Sequence, residues 1–230
     1  MAMELTLVVG GHSIWPPQKL GRTLGSGVIR SLMDGVEKGR KMIGKLVRSL
    51  KRLERDRESF FEELRALSAK ELHFRAAEKS WSPLEVLDHL VRMEKLIAAQ
   101  LAQNRGSTRK ILLKDRLRNL AVRGVMRSSM RVTTPKGAEA SLPGDEKPLE
   151  MVLTEWAAQR QVLKLVLASF AAEDTRYGTF RHPVGGWMTA NGSLKFIDSH
   201  VVHHRLQVKR AVRMAQSGAK PAMYREKKAG

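Results

Sequence analysis

Apolar residues recur at helical spacing in four long stretches of the chain. From about Val36 to Leu67, residues such as Met42, Ile43, Leu46, Val47, Leu50, Leu53, Phe60, Phe61 and Leu64 repeat at intervals of three and four, the period of one face of an α-helix. RALSAKEL interrupts this run and SWSPLEVLDHL opens a second. There Ser82 is placed to cap a helix, Pro83 takes its first position, and Glu85 completes a capping box. That helix is expected to reach about Gln103. A third spans about Leu149 to Ala171 on Val152, Leu153, Trp156, Val162, Leu163 and Leu167, and a fourth runs from Ser193 to about Gln216. Between the second and third, Ile111 to Met130 mixes apolar and basic residues and predicts a further helix, interrupted near Gly124. TTPKGAEASLPGDEKP and RHPVGGWMTANGS read as loops from their proline and glycine content. No alternating pattern argues for a sheet, and no internal repeat is visible.

Four amphipathic helices with long connections predict an all-α fold, a four-helix bundle. The expected organisation is a poorly ordered, basic extension over 1–35, the bundle over 36–217, and a basic tail over 218–230. A basic insertion at about 105–148 is expected to lie across or beside the bundle.

Composition narrows the chemistry. At 230 residues and 42% hydrophobic content, the chain can build one sizeable core. It has no cysteine, which excludes disulfides, thiolate nucleophiles and cysteine-ligated metal sites. This fits a reducing cytoplasm, the expected location. No apolar run approaches the roughly 18 residues of a membrane span. The opening MAMELTLVVGGHSIWPP lacks a basic n-region and is not expected to be a signal peptide.

The charge balance is 42 Lys and Arg against 23 Asp and Glu, a net +19. Such an excess favours acidic partners, although a charge run is by default a solvated face. The second function that it suggests is a non-enzymatic module gripping nucleic acid or anionic membrane. Arg109, Lys110, Lys114, Arg116, Arg118, Arg123 and Arg127 would then contact phosphates. Few aromatics interleave with these cations, which argues against base stacking, and no helix-turn-helix or finger pattern is present.

Three of the seven histidines stand within FIDSHVVHHRLQVKR. At about 100° per residue, Ile197, Val201, His204, Val208, Ala211 and Ala215 share one stripe, with His200 about 40° from His204. His203 falls farther round, toward Arg210. An i, i+4 histidine pair on one face can chelate a metal, but two ligands do not complete a site, and buried histidines are also satisfied by hydrogen bonds. His89, beside Val86, Met93 and Leu96, has apolar company. Its periodicity does not establish that it faces the same point, because Leu87, Val91 and Ala98 lie nearly opposite.

WSPLEVLDHLVRMEK and FRHPVGGWMTANGSLKFIDSHVVHHRLQVKR resemble, in this order, the two signatures of the DinB-like (DinB/YfiT-related) superfamily of four-helix proteins. The likeness covers roughly Leu50 to Met214. The basic segment Arg105 to Lys136 is longer and more charged than the family's usual linker, and the first forty or so residues have no counterpart. The resemblance implies a DinB/YfiT-like bundle binding one divalent ion through His89, His200 and His204, with His203 left out. Gln207 matches the glutamine one turn beyond the pair and would support the site. His182 matches the histidine of the family's HP loop; it would line the site's mouth and act as a catalytic base, or else cap a nearby backbone group. Glu94 is a poorer base, because it projects elsewhere.

Three neutral imidazoles suit zinc or nickel and leave a position open, as in a catalytic site. Gly185 and Gly186 would let the HP loop pass close to the metal. The implied activity is that of a metal-dependent hydrolase or thiol-dependent transferase, with a low-molecular-weight thiol as co-substrate. A closed, purely structural metal is a third reading. Expected partners are a small-molecule substrate, a second copy in a homodimer, and nonspecific nucleic acid or anionic membrane through the basic patch.

Overall fold

A computed structural model describes residues 26–78, 80–128, 130 and 139–219, with side chains from Ile43 onward. The chain divides into two compact units, Met1–Lys38 and Gly39–Gly230, and the second carries the core and the histidine cluster. The extension expected over 1–35 lies largely outside the described residues, except that the first helix, α1, spans Ser26–Arg65 and so begins before Val36. The C-terminal tail lies outside them but for its first two residues.

Five further helices follow: α2 (Ala69–Leu72), α3 (Pro83–Gln103), α4 (Leu113–Arg127), α5 (Leu149–Ala168) and α6 (Ala190–Gln216). Helices α1, α3, α5 and α6 form the bundle, and α3 packs against both α5 and α6. The fold is all-α in character, as the pattern predicts. Helix α1 contributes Leu46, Leu53, Phe60, Phe61 and Leu64 to the core, where Phe61 lies 5.6 Å from Trp156 of α5.

Helix starts follow their caps. Ser82 Oγ accepts from the Glu85 N–H at 3.3 Å while the Ser82 N–H donates to Glu85 Oε2 at 2.8 Å. Such a reciprocal pair satisfies two N–H groups that a helix end leaves open. Helix α6 begins at Ala190 rather than Ser193 because Thr189 Oγ1 accepts from the Gly192 N–H at 3.1 Å.

Two expectations change. The HP loop is not simply a loop: Phe180–His182 (β1) and Gly186–Met188 (β2) pair antiparallel, with Phe180 opposite Met188 and His182 opposite Gly186. Strands this short are below what alternation along a sequence can reveal. Helix α4 runs unbroken through Gly124 and packs on α6 and on β2. Asp115 Oδ1 accepts from the Trp187 N–H at 3.3 Å, Asn119 Nδ2 donates to the Trp187 carbonyl at 2.9 Å, and Arg127 pairs with Asp198 of α6. Within the basic insertion, the described helix α4 is therefore docked against the bundle.

Candidate metal centre

Helices α3 and α6 cross so that His89, His200 and His204, all buried, meet inside the bundle. One ring nitrogen from each lies within 4.8 Å of the others. His200 Nε2 stands 3.3 Å from His89 Nε2 and 3.0 Å from His204 Nε2. His89 Nδ1 lies 2.6 Å from the Ser141 carbonyl, and His204 Nδ1 lies 2.9 Å from Gln207 Oε1. A carbonyl oxygen only accepts, so both Nδ1 atoms carry the proton and both Nε2 atoms present lone pairs.

That protonation pattern tests the fit to a metal. A proton on His200 Nε2 could serve one neighbouring lone pair but not both. A cation among the three nitrogens satisfies all of them, and nitrogens bound tetrahedrally at about 2.0–2.1 Å lie about 3.3 Å apart. The three-histidine group fits a metal ion.

Burial fixes the charge state. It pushes His89 down to about 4, with the Ser141 carbonyl opposing. It also holds His204 and His200 well below the usual histidine range, helped by the neighbouring imidazoles. All three rings are neutral near pH 7, as metal ligands must be.

The walls are aromatic. Trp81 packs against His89 at 4.7 Å and stacks over His204 at 6.1 Å, while Phe196 stacks on His200 at 5.4 Å. The sequence patterns mark no role for either, nor for Ser141. Phe196 was within their reach, being four residues before His200 on the same helix. Trp81 stands just before the cap of α3, a position that often packs on the first turn. A backbone carbonyl such as that of Ser141 carries no residue signature and had no such signal.

His203 is not part of the cluster, but the flank it faces is not open. It is buried, since α4 covers that side of α6. Burial lowers its proton affinity, with Arg210 adding to the shift and the backbone of Ser128 and Met126 opposing it.

His182 lies away from the three imidazoles, edge-on to Phe196 at 4.7 Å, so Phe196 stands between it and His200. Its Nδ1 accepts from the N–H groups of Gly185, at 2.8 Å, and Val184, at 3.1 Å. The neutral ring therefore holds its proton on Nε2 and has no free lone pair. Burial lowers it to about 4. This is the backbone-capping contact named above as the alternative role of His182. The neighbouring glycines serve this turn: a Cβ at Gly185 would crowd His182 and Met188, and Gly186, at φ 75°, sits against Asp115 of α4. Glu94 is likewise committed, accepting from Arg160 Nε at 2.5 Å, Arg160 Nη2 at 2.8 Å and Trp156 Nε1 at 3.0 Å.

Fold and cluster together define a class: a helical bundle with a buried three-histidine group able to hold a metal ion. The chain belongs to the DinB superfamily, whose family model matches residues 52–208. It is also 24% identical over 153 residues to the uncharacterized protein YuaE of Bacillus subtilis (strain 168), a match covering 64% of this chain and 86% of that protein. No solved structure matches it. Among the described residues, no helix is long and apolar enough to cross a membrane.

Proposed function

We propose that the chain is a metal-dependent enzyme in which His89, His200 and His204 hold one divalent ion, zinc or nickel, and a small molecule reacts beside it. The observation that carries this reading is the convergence of Nε2 lone pairs described above. Once bound, such an ion would supply Lewis acidity toward a thiol, water or carbonyl oxygen at its remaining position. The protein's part is to hold three neutral imidazoles in fixed tautomers, with Ser141 and Gln207 tethering two of them and Trp81 and Phe196 packing the rings.

The choice between hydrolysis and thiol transfer turns on proton removal. His182 Nδ1 is occupied by backbone N–H groups and Glu94 is locked to Arg160. A thiol, with a pKa of about 8.5 against about 15.7 for water, asks least of a site without a committed base. A low-molecular-weight thiol is therefore the favoured co-substrate, and the activity a thiol-dependent transfer to a small electrophile.

Elemental analysis tests the centre. His89→Ala, His200→Ala and His204→Ala should each lose stoichiometric metal, and His203→Ala should retain it. In cobalt-substituted protein, a small thiol should change the visible absorption. Metal loss confined to His203→Ala would refute the ligand set. Spectra unmoved by thiols and small anions would favour a closed, structural ion.

A further inference from the structure

Helix α4 is mounted with its leucines outward. Leu113, Leu117 and Leu120 are 71%, 60% and 64% exposed and form one stripe at i, i+4 and i+7. Its opposite face is fixed by Asp115 and Asn119, hydrogen-bonded to β2, and by buried Val122. Rolling the helix to hide the leucines would break those bonds and expose Val122. On its sides the stripe is flanked by Arg116 on one edge and Lys114 on the other, with Arg118 farther round beyond Lys114. All three cations are exposed, and none has an ion pair among the described residues. Between Arg105 and Lys136 the sequence has one acid, Asp115, against ten Lys or Arg residues, and Asp115 is buried.

From this face we infer a docking surface for an anionic phospholipid bilayer. Three outward leucines bordered by cations on both sides match an interface whose charged headgroups overlie apolar chains. A second copy of the chain is a poorer occupant, because pairing two such stripes would set like charges side by side. Nucleic acid offers phosphates to the cations but nothing apolar to the leucines. The helix would lie in the headgroup layer and span nothing. The inference stands apart from the metal centre, since none of these residues touches it.

The test uses the full chain in co-sedimentation with vesicles of phosphatidylcholine alone or mixed in equal parts with phosphatidylglycerol. Binding is expected only to the anionic vesicles. The triple variant Leu113→Gln, Leu117→Gln, Leu120→Gln keeps every charge and should weaken it on the order of 100-fold. Removing Lys114, Arg116 and Arg118 as glutamines should cost about fivefold per cation. Because the chain has no cysteine, Leu117→Cys offers a unique site for an environment-sensitive dye, whose emission should shift blue on the anionic vesicles. Metal content and melting temperature of the leucine variant should be unchanged. The inference fails if that variant binds vesicles like the parent, or if neither vesicle is bound. It fails equally if the substitutions instead dissolve a dimer seen by sedimentation velocity, or abolish duplex binding.

Discussion

Whether an imidazole can be a ligand is decided by its far nitrogen. His89 and His204 commit Nδ1–H to oxygen acceptors and so turn a lone pair inward, whereas His182 spends its lone pair on two backbone N–H groups. The same residue type is thus a prospective ligand in one place and a turn cap in another. Gln207 is the side-chain member of this arrangement. Gln207→Leu keeps most of the volume and removes the acceptor. It should lower metal affinity about 10- to 100-fold, as loss of such supporting contacts typically does. Competition with a chromophoric chelator would measure it, and an unchanged affinity would show that His204 needs no tether.

One element positions another around the centre. The loop that presents the Ser141 carbonyl is held to α3 by Asp88, adjacent to His89. Asp88 Oδ2 accepts from the Gly144 N–H at 2.8 Å and from Arg92 Nε at 2.7 Å. Burial opposes the ionised form of Asp88, and these bonds with Lys147 outweigh it, keeping its proton affinity below the ordinary value. A Cβ at residue 144 would fall on the guanidinium end of Arg92, which would have to swing aside to admit it. Asp88→Asn preserves shape but not charge. The expected result is faster amide exchange through the Ser141–Gly144 loop together with severalfold weaker metal binding. Weaker binding with unchanged exchange would mean that Asp88 acts on His89 by charge and not through the loop.

At the scale of the whole molecule, buried neutral histidines link stability to pH. His182, held to about 4 by burial, titrates near 6.5 when unfolded. Between those values the unfolded chain binds more protons, so stability is full above about pH 6.5 and falls as pH drops toward 4. The contribution at stake is on the order of 3 kcal/mol at 1.36 kcal/mol per unit. Denaturant titrations of chelator-treated protein at pH 7 and pH 5 should show the loss. His182→Asn, whose side-chain oxygen can cap the same turn, should be less stable at pH 7 and less sensitive to pH. An equal drop in parent and variant would place the effect in the other histidines.

Much of the frame was legible in the chain because local rules wrote it. The capping box at Ser82 and Glu85, the apolar repeat of α1, and the shared face of His200 and His204 all rest on helical geometry within a few residues. The two family signatures brought His89 into the same set. The rest needed tertiary structure, because it depends on groups far apart in sequence. The Ser141 carbonyl meets His89 across 52 positions, and the hairpin that captures His182 is too short to register as a pattern. Helix α4 shows the limit most clearly. Periodicity alone would turn Leu113, Leu117 and Leu120 inward, yet Asp115 and Asn119 find partners on β2 and the leucines face out. Hydrophobic pattern determined that a helix forms there, and long-range hydrogen bonding decided which way it faces.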